Sequence, residues 1–167
     1  MLDITDADIA AQRGAAALKE RVARADPESL ALLFTEARNQ NGWLDKPVDD
    51  RTLHDLYDLV KWAPTSANAQ PARYVFLTSK AGKTRLKPHV SPGNVDKTVS
   101  APVTVIVAYD LEFFQDLSKN FPMKDMSSRY RTDPVAAETM AFRNSTLQGA
   151  FLMLAARAVG LDIGAMS

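Results

Sequence analysis

The pattern that most constrains the fold begins at Asp133-Pro134 and runs to Gly160, the longest helical pattern in the chain. Aspartate as N-cap and proline at the first helical position start it, and Gly160 is placed to cap its C-terminus. Ala137, Ala141, Leu147, Ala150, Phe151, Leu154 and Ala158 are small or apolar along this run and suit a close helix–helix contact. The remaining elements have to be arranged around that helix.

Ahead of it, residues 10–25 are rich in alanine and charge, with a weak apolar stripe through Leu18 and Val22. They predict a solvated helix added in front of the domain. Asp26-Pro27-Glu28 repeats the cap-plus-proline start, and Leu30, Leu33, Phe34 and Ala37 share one face before Asn41-Gly42 ends the helix. A second helix starts at Asp49 or Asp50, carries Leu53, Leu56, Tyr57 and Val60 at helical spacing, and stops at Pro64. Residues 73–78 and 103–109 read as strands, the second apolar enough to lie in a sheet interior covered on both faces. Short helices are expected at 81–88 and 94–100, mostly loop and short helix at 113–131, and the start of a strand at 161–166. This order predicts an α+β fold of three-layer α/β/α type, a mixed sheet flanked by helices. Residues 1–25 form a helical extension and 26–167 the domain.

Composition narrows the function. With 46% hydrophobic residues in 167, one domain can bury a core. Lysine plus arginine equals aspartate plus glutamate at 20 each, so no net field draws in nucleic acid or an anionic membrane. A small neutral or singly charged ligand fits better. The absence of cysteine excludes disulfides, thiolate nucleophiles and cysteine-based metal sites. No secretory signal opens the sequence and no apolar run reaches the roughly 20 residues of a spanning helix, so a soluble, cytoplasmic protein is expected.

Three polar clusters stand apart from the packing patterns. At Arg38-Asn39-Gln40-Asn41-Gly42-Trp43 an Asn-Gly helix stop is one reading; an arginine fork with amides, matching a phosphate, is the other. The loop Pro64-Thr65-Ser66-Ala67-Asn68-Ala69-Gln70-Pro71 reads either as an ordinary polar connection or as the short donors and acceptors that a heteroaromatic ring needs from several sides. In Gly93-Asn94-Val95-Asp96-Lys97, Asn94 suits an N-cap and Lys97 a solvated first turn. His54 and His89 sit in plain helical and loop contexts, and no catalytic triad, paired carboxylates, P-loop or metal-spaced cluster is present.

In chain order, the Arg38 segment before Trp43 and Pro47-Val48, then Pro64 to Pro71, then Asn94 with Lys97, then Gly160-Leu161-Asp162-Ile163-Gly164-Ala165-Met166-Ser167, resemble the successive FMN-contact segments of the nitroreductase family. The resemblance spans residues 30 to 167. Lys61 to Asn68, Gly93 to Val103, and Ala141-Phe142-Arg143-Asn144-Ser145 are especially similar to malonic semialdehyde reductases of pyrimidine breakdown. It implies FMN as cofactor, NADPH or NADH as reductant, ping-pong hydride transfer, and a homodimer with each flavin at the subunit interface. Arg38 would bind the FMN phosphate, with Asn39 where relatives often have serine and Asn41 where many have a second arginine. Pro64, Thr65, Ser66 and Asn68 would line the ring and ribityl chain from the partner subunit. Asn94 and Lys97 would reach the pyrimidine edge, Lys97 as a cation that tunes the flavin, while Ala165, Met166 and Ser167 would lie near its reactive nitrogen. A broad nitroaromatic or quinone reductase, or a non-catalytic flavin-binding homodimer, would use the same residues. In relatives the sequence continues beyond this point through a further helix, strand and basic segment, so the expectation is a C-terminally incomplete domain that holds FMN weakly.

Overall fold

The structure is a computed structural model that describes residues 5–22 and 24–166. Two units are distinguished, one ending at Ala37 and one beginning at Arg38.

In the first unit, α1 (Asp6–Arg21) starts with a capping box in which the Thr5 hydroxyl accepts from the Asp8 amide and Asp8 accepts from the Thr5 amide. None of its residues is buried, which fits the expected solvated helix. Asp26 caps α2 (Pro27–Leu30) through the Ser29 amide. The helix does not reach Asn41-Gly42 as the periodicity predicts. It widens into a π-helical turn, Ala31–Thr35, and ends there. The wider turn breaks the 3.6-residue register, so Phe34 leaves the expected face and is 57% exposed.

The second unit is built on α8 (Pro134–Ala158), capped by Asp133 through the Ala136 amide. Its C-terminal end is a Schellman motif. Gly160 takes φ of +81°, its amide donates to the Arg157 carbonyl, and the Leu161 amide donates to the Ala156 carbonyl. Leu152, Ala155 and Ala156 pack against Leu56 and Val60 of α3 (Asp50–Val60). Farther toward its N-terminus, Ala137 and Ala141 meet Phe113, Leu117 and Tyr130. Those three come from the 3-10 turn Phe113–Asp116, α6 (Leu117–Asn120) and α7 (Ser127–Thr132), the mixture of turn and short helix expected there. Of the small-residue positions predicted for helix contact, Leu147, Ala150, Phe151 and Ala158 are instead exposed in the single chain.

Strand β1 (Ala72–Leu77) pairs antiparallel with β2 (Thr104–Tyr109), Ala72 opposite Tyr109 and Leu77 opposite Thr104. Between them run α4 (Lys80–Leu86) and α5 (Val95–Ser100). Tyr74, Phe76 and Val105 cover the core of α3 and α8. The expected doubly covered interior strand is not found: Ile106 and its partner Val75 are exposed. One face of this ribbon is packed on helices and the other is open, so β2 is apolar without being enclosed. The α+β class stands, and the sheet is a two-stranded antiparallel ribbon among the described residues. Residues 161–166 contribute a single parallel bridge, Ile163 with Asn39, instead of a strand. No helix among the described residues is long and apolar enough to cross a membrane.

Candidate functional site

Three of the segments singled out from sequence meet in the second unit. The amide of Gln40 donates to the Ile163 carbonyl at 2.8 Å, and Asn39 Oδ1 accepts from the Ala165 amide at 2.5 Å. From the same stretch, Trp43 Nε1 donates to the Lys97 carbonyl at 2.8 Å. Lys97 Nζ returns the connection by donating to Asn41 Oδ1 at 3.2 Å. Thr98 Oγ1 reaches Met166 Sδ at 3.5 Å and donates to the Asn94 carbonyl. Residues 39–43, the first turns of α5 and residues 163–166 therefore form one hydrogen-bonded cluster.

Three expectations for this cluster need correction. Lys97 is only 8% exposed, whereas a first-turn lysine was expected to be solvated. The Trp43 indole is bonded to its carbonyl and Asn41 to its ammonium, so both ends of the residue have partners from the 39–43 stretch. Asn94 stands at the N-cap position of α5, but its backbone is helical and its side chain makes no capping bond. Arg38 is exposed, and it lies beyond the π-helical turn instead of completing a helix. The Asn-Gly helix stop is thus absent at this position. Ser167 falls outside the described residues.

Buried Lys83 supports α5 from α4 by donating to the carbonyl of Ala101, its C-cap residue. A lysine ammonium at a helix C-terminus satisfies an orphan carbonyl and offsets the negative end of the dipole.

The loop Pro64 to Pro71 is anchored elsewhere, on α8 and the end of α6. Ser66 donates its amide to Asn144 Oδ1 at 2.8 Å, and Asn68 Nδ2 donates to the Asn120 carbonyl at 3.1 Å. Gln70 Nε2 donates to the Ala63 carbonyl and to Asn68 Oδ1, both at 2.9 Å. Gln148 Nε2 donates to Gln70 Oε1 at 2.7 Å while Gln148 Oε1 accepts the Ala72 amide at 2.9 Å. These bonds hold Ala67, Asn68 and Gln70 in the left-handed region, with φ of 50°, 48° and 46°. Such conformations cost about 1–3 kcal/mol per non-glycine residue and persist where the surroundings over-determine them. The polar loop is therefore a built structure, with Pro64, Ser66 and Asn68 exposed and Thr65 half-buried.

Sequence reasoning missed Asn144 and Gln148, both buried on α8. Their signal was an i, i+4 pair of amides inside a run of small and apolar residues, a spacing that puts both on one helix face.

The model of the family described as "Nitroreductase family" matches residues 43–167. The chain belongs to the nitroreductase family. Among solved structures, a protein from Exiguobacterium sibiricum in complex with FMN matches with a TM-score of 0.67 at 19% identity, covering 83% of this chain and 74% of its own. The gut-bacterial enone reductase CLA-ER matches with a TM-score of 0.71 at 17% identity, covering 83% of this chain and 74% of its own. NADPH:FMN oxidoreductase from Vibrio harveyi, solved with NAD+, matches with a TM-score of 0.58 at 18% identity, covering 81% of this chain and 52% of its own. At these identities the likeness establishes the nitroreductase fold. Family membership makes the protein a flavin-dependent reductase, with FMN as cofactor and NAD(P)H as reductant. The observed donor set fits such a group: a positioned ammonium, side-chain amides and an exposed guanidinium suit one edge of a ring and a phosphate.

Proposed function

We propose that the protein is an FMN-dependent oxidoreductase that passes hydride from NAD(P)H to a small semialdehyde, converting malonic semialdehyde to 3-hydroxypropionate, and that it acts as a homodimer. The observation that carries this reading is the convergence of residues 39–43, α5 and residues 163–166 around Lys97. FMN bound there supplies two-electron transfer between a nicotinamide and a carbonyl. Arg38 holds its phosphate, with Asn39 and Asn41 beside it. Asn94 and Lys97 meet the pyrimidine edge, where the ammonium favours the reduced form because two-electron reduction leaves negative charge there. Ala165 and Met166 lie toward the reactive side.

Pro64, Thr65, Ser66 and Asn68 contribute from the partner subunit. The left-handed loop that carries them is already ordered, so little conformational freedom is lost when it meets a ligand. Support for the dimer comes from apolar residues of α8 that stay exposed to solvent in one chain, Val135 and Phe142 on one flank of its buried face and Leu147 and Phe151 on the other.

The semialdehyde assignment rests on the sequence resemblance in Lys61 to Asn68, Gly93 to Val103 and Ala141 to Ser145. The nitroreductase family match favours a second reading, a broad reductase of nitroaromatics or quinones that uses the same residues. Purified protein reconstituted with FMN should turn yellow and bleach on addition of NADPH or NADH. Rapid reoxidation by malonic semialdehyde supports the first substrate class, and reoxidation by nitroaromatics or quinones alone supports the second. A protein that stays colourless after reconstitution refutes both.

A further inference from the structure

We propose that Asn39 is a positioning residue whose side-chain carbonyl clamps the 163–166 segment. Its significance for catalysis rests on the flavin reading above, in which that segment lies toward the reactive side.

The backbone pairing begins as a parallel ladder. Asn39 bridges Ile163, and the Gln40 amide donates to the Ile163 carbonyl. In a regular parallel ladder the next bond would run from the Ala165 amide to the Gln40 carbonyl. The Asn39 side chain intercepts that amide, with Oδ1 at 2.5 Å. This ends the ladder after one bridge and commits the Asn39 acceptor to the 163–166 segment.

Gly164 makes the arrangement possible. A Cβ at that position would overlap the Gln40 carbonyl oxygen and come within 3.0 Å of the Trp43 ring. The same indole donates to the Lys97 carbonyl, so the clamp and the lysine are tied to one side chain. An asparagine here supplies an acceptor long enough to reach beyond its own backbone bridge.

Amide exchange at Ala165, measured by NMR on the full chain without added FMN, tests the clamp directly. Asn39→Ala should accelerate exchange about tenfold, the effect of losing roughly one hydrogen bond's worth of protection. Asn39→Asp retains an acceptor at the same reach and should restore protection. Gly164→Ala, with Asn39 intact, should also accelerate exchange by displacing the segment, and it keeps the test decisive if Asn39→Ala does not fold. Unchanged Ala165 exchange in the folded variants overturns the proposal, as does failure of Asn39→Asp to protect. A parallel FMN titration separates the two readings. If no variant or parent binds FMN, the proposed function fails while the exchange data still decide the clamp.

Discussion

Lys97 Nζ and Asn41 Oδ1 are joined across 3.2 Å, so the first turn of α5 and the segment after Arg38 share a charged hydrogen bond. Asn41 is exposed while Lys97 is buried, and the pair therefore lies at the boundary between the packed interior and solvent. An arginine at position 41 would place a second cation near the ammonium. Asparagine offers an acceptor and holds the lysine in place.

Replacing Lys97 by methionine should weaken FMN binding by about 1–3 kcal/mol and make the bound flavin harder to reduce, because a charge-assisted contact is lost. Fluorescence titration and a midpoint potential read the two effects. Unchanged affinity and potential would show that the ammonium does not face the ring. Because Lys97 is buried, its stem also packs, and a small change in unfolding free energy should accompany the loss.

A double-mutant cycle with Lys97→Met and Asn41→Ala should give a coupling of about 0.5–1.5 kcal/mol in stability, the usual net value of one hydrogen bond. Additivity of the two changes would mean that the bond is not maintained in solution.

Gln148→Leu should destabilise the fold by roughly 1–3 kcal/mol for each polar group left without a partner, here the Ala72 amide and Gln70 Oε1. Urea unfolding measures it. Loss of these bonds also removes support from the left-handed Gln70, so proteolysis within Pro64 to Pro71 should quicken in the variant.

At Gly160 an alanine should cost roughly 1–2 kcal/mol, a penalty of left-handed backbone alone. Among the described residues no heavy atom beyond its chain neighbours lies within 4 Å of the added Cβ, so crowding contributes nothing. Thermal unfolding of Gly160→Ala should show the loss, and Gly160→Asn should recover part of it because asparagine tolerates this region better.

Tyr74 provides a pH test. Burial, with a smaller contribution from nearby Tyr57, pushes its phenol up to about 12 from an ordinary value of 10.0. Its hydroxyl is buried with no hydrogen-bond partner among the described residues, which favours the neutral form in the folded protein. The unfolded chain therefore loses this proton at lower pH than the native one. Its contribution to stability is complete below pH 10 and is lost as pH rises toward 12. Phenolate absorbance that appears only with unfolding would confirm the sign; Tyr74→Phe should remove this component of alkaline destabilisation.

Local signals were legible wherever one residue type performs one task. Asp133-Pro134 and Gly160 marked the ends of α8, and Asp49 marked the start of α3, because caps and backbone freedom act within a turn. The strand stretches were readable from β-branched residues, but enclosure of β2 was not, since apolar composition does not say how many layers cover it. Lys97 looked solvated for a related reason: its partners Asn41 and Trp43 lie more than fifty positions away in the chain. The polar loop after Pro64 was visible as a cluster, while its left-handed backbone and its anchors on Asn144 and Gln148 belong to tertiary structure.

Helix α8 turns amides and small residues inward and leaves Val135, Phe142, Leu147 and Phe151 toward water. For an isolated chain this reverses the usual economy of a central helix, in which the large apolar side chains drive collapse. Covering that surface with a second copy would make unfolding a bimolecular equilibrium in reverse, and the melting temperature would climb with protein concentration by mass action. The helix that organises the subunit would then also make its persistence in the cell depend on expression level, with dilution itself acting as a denaturant.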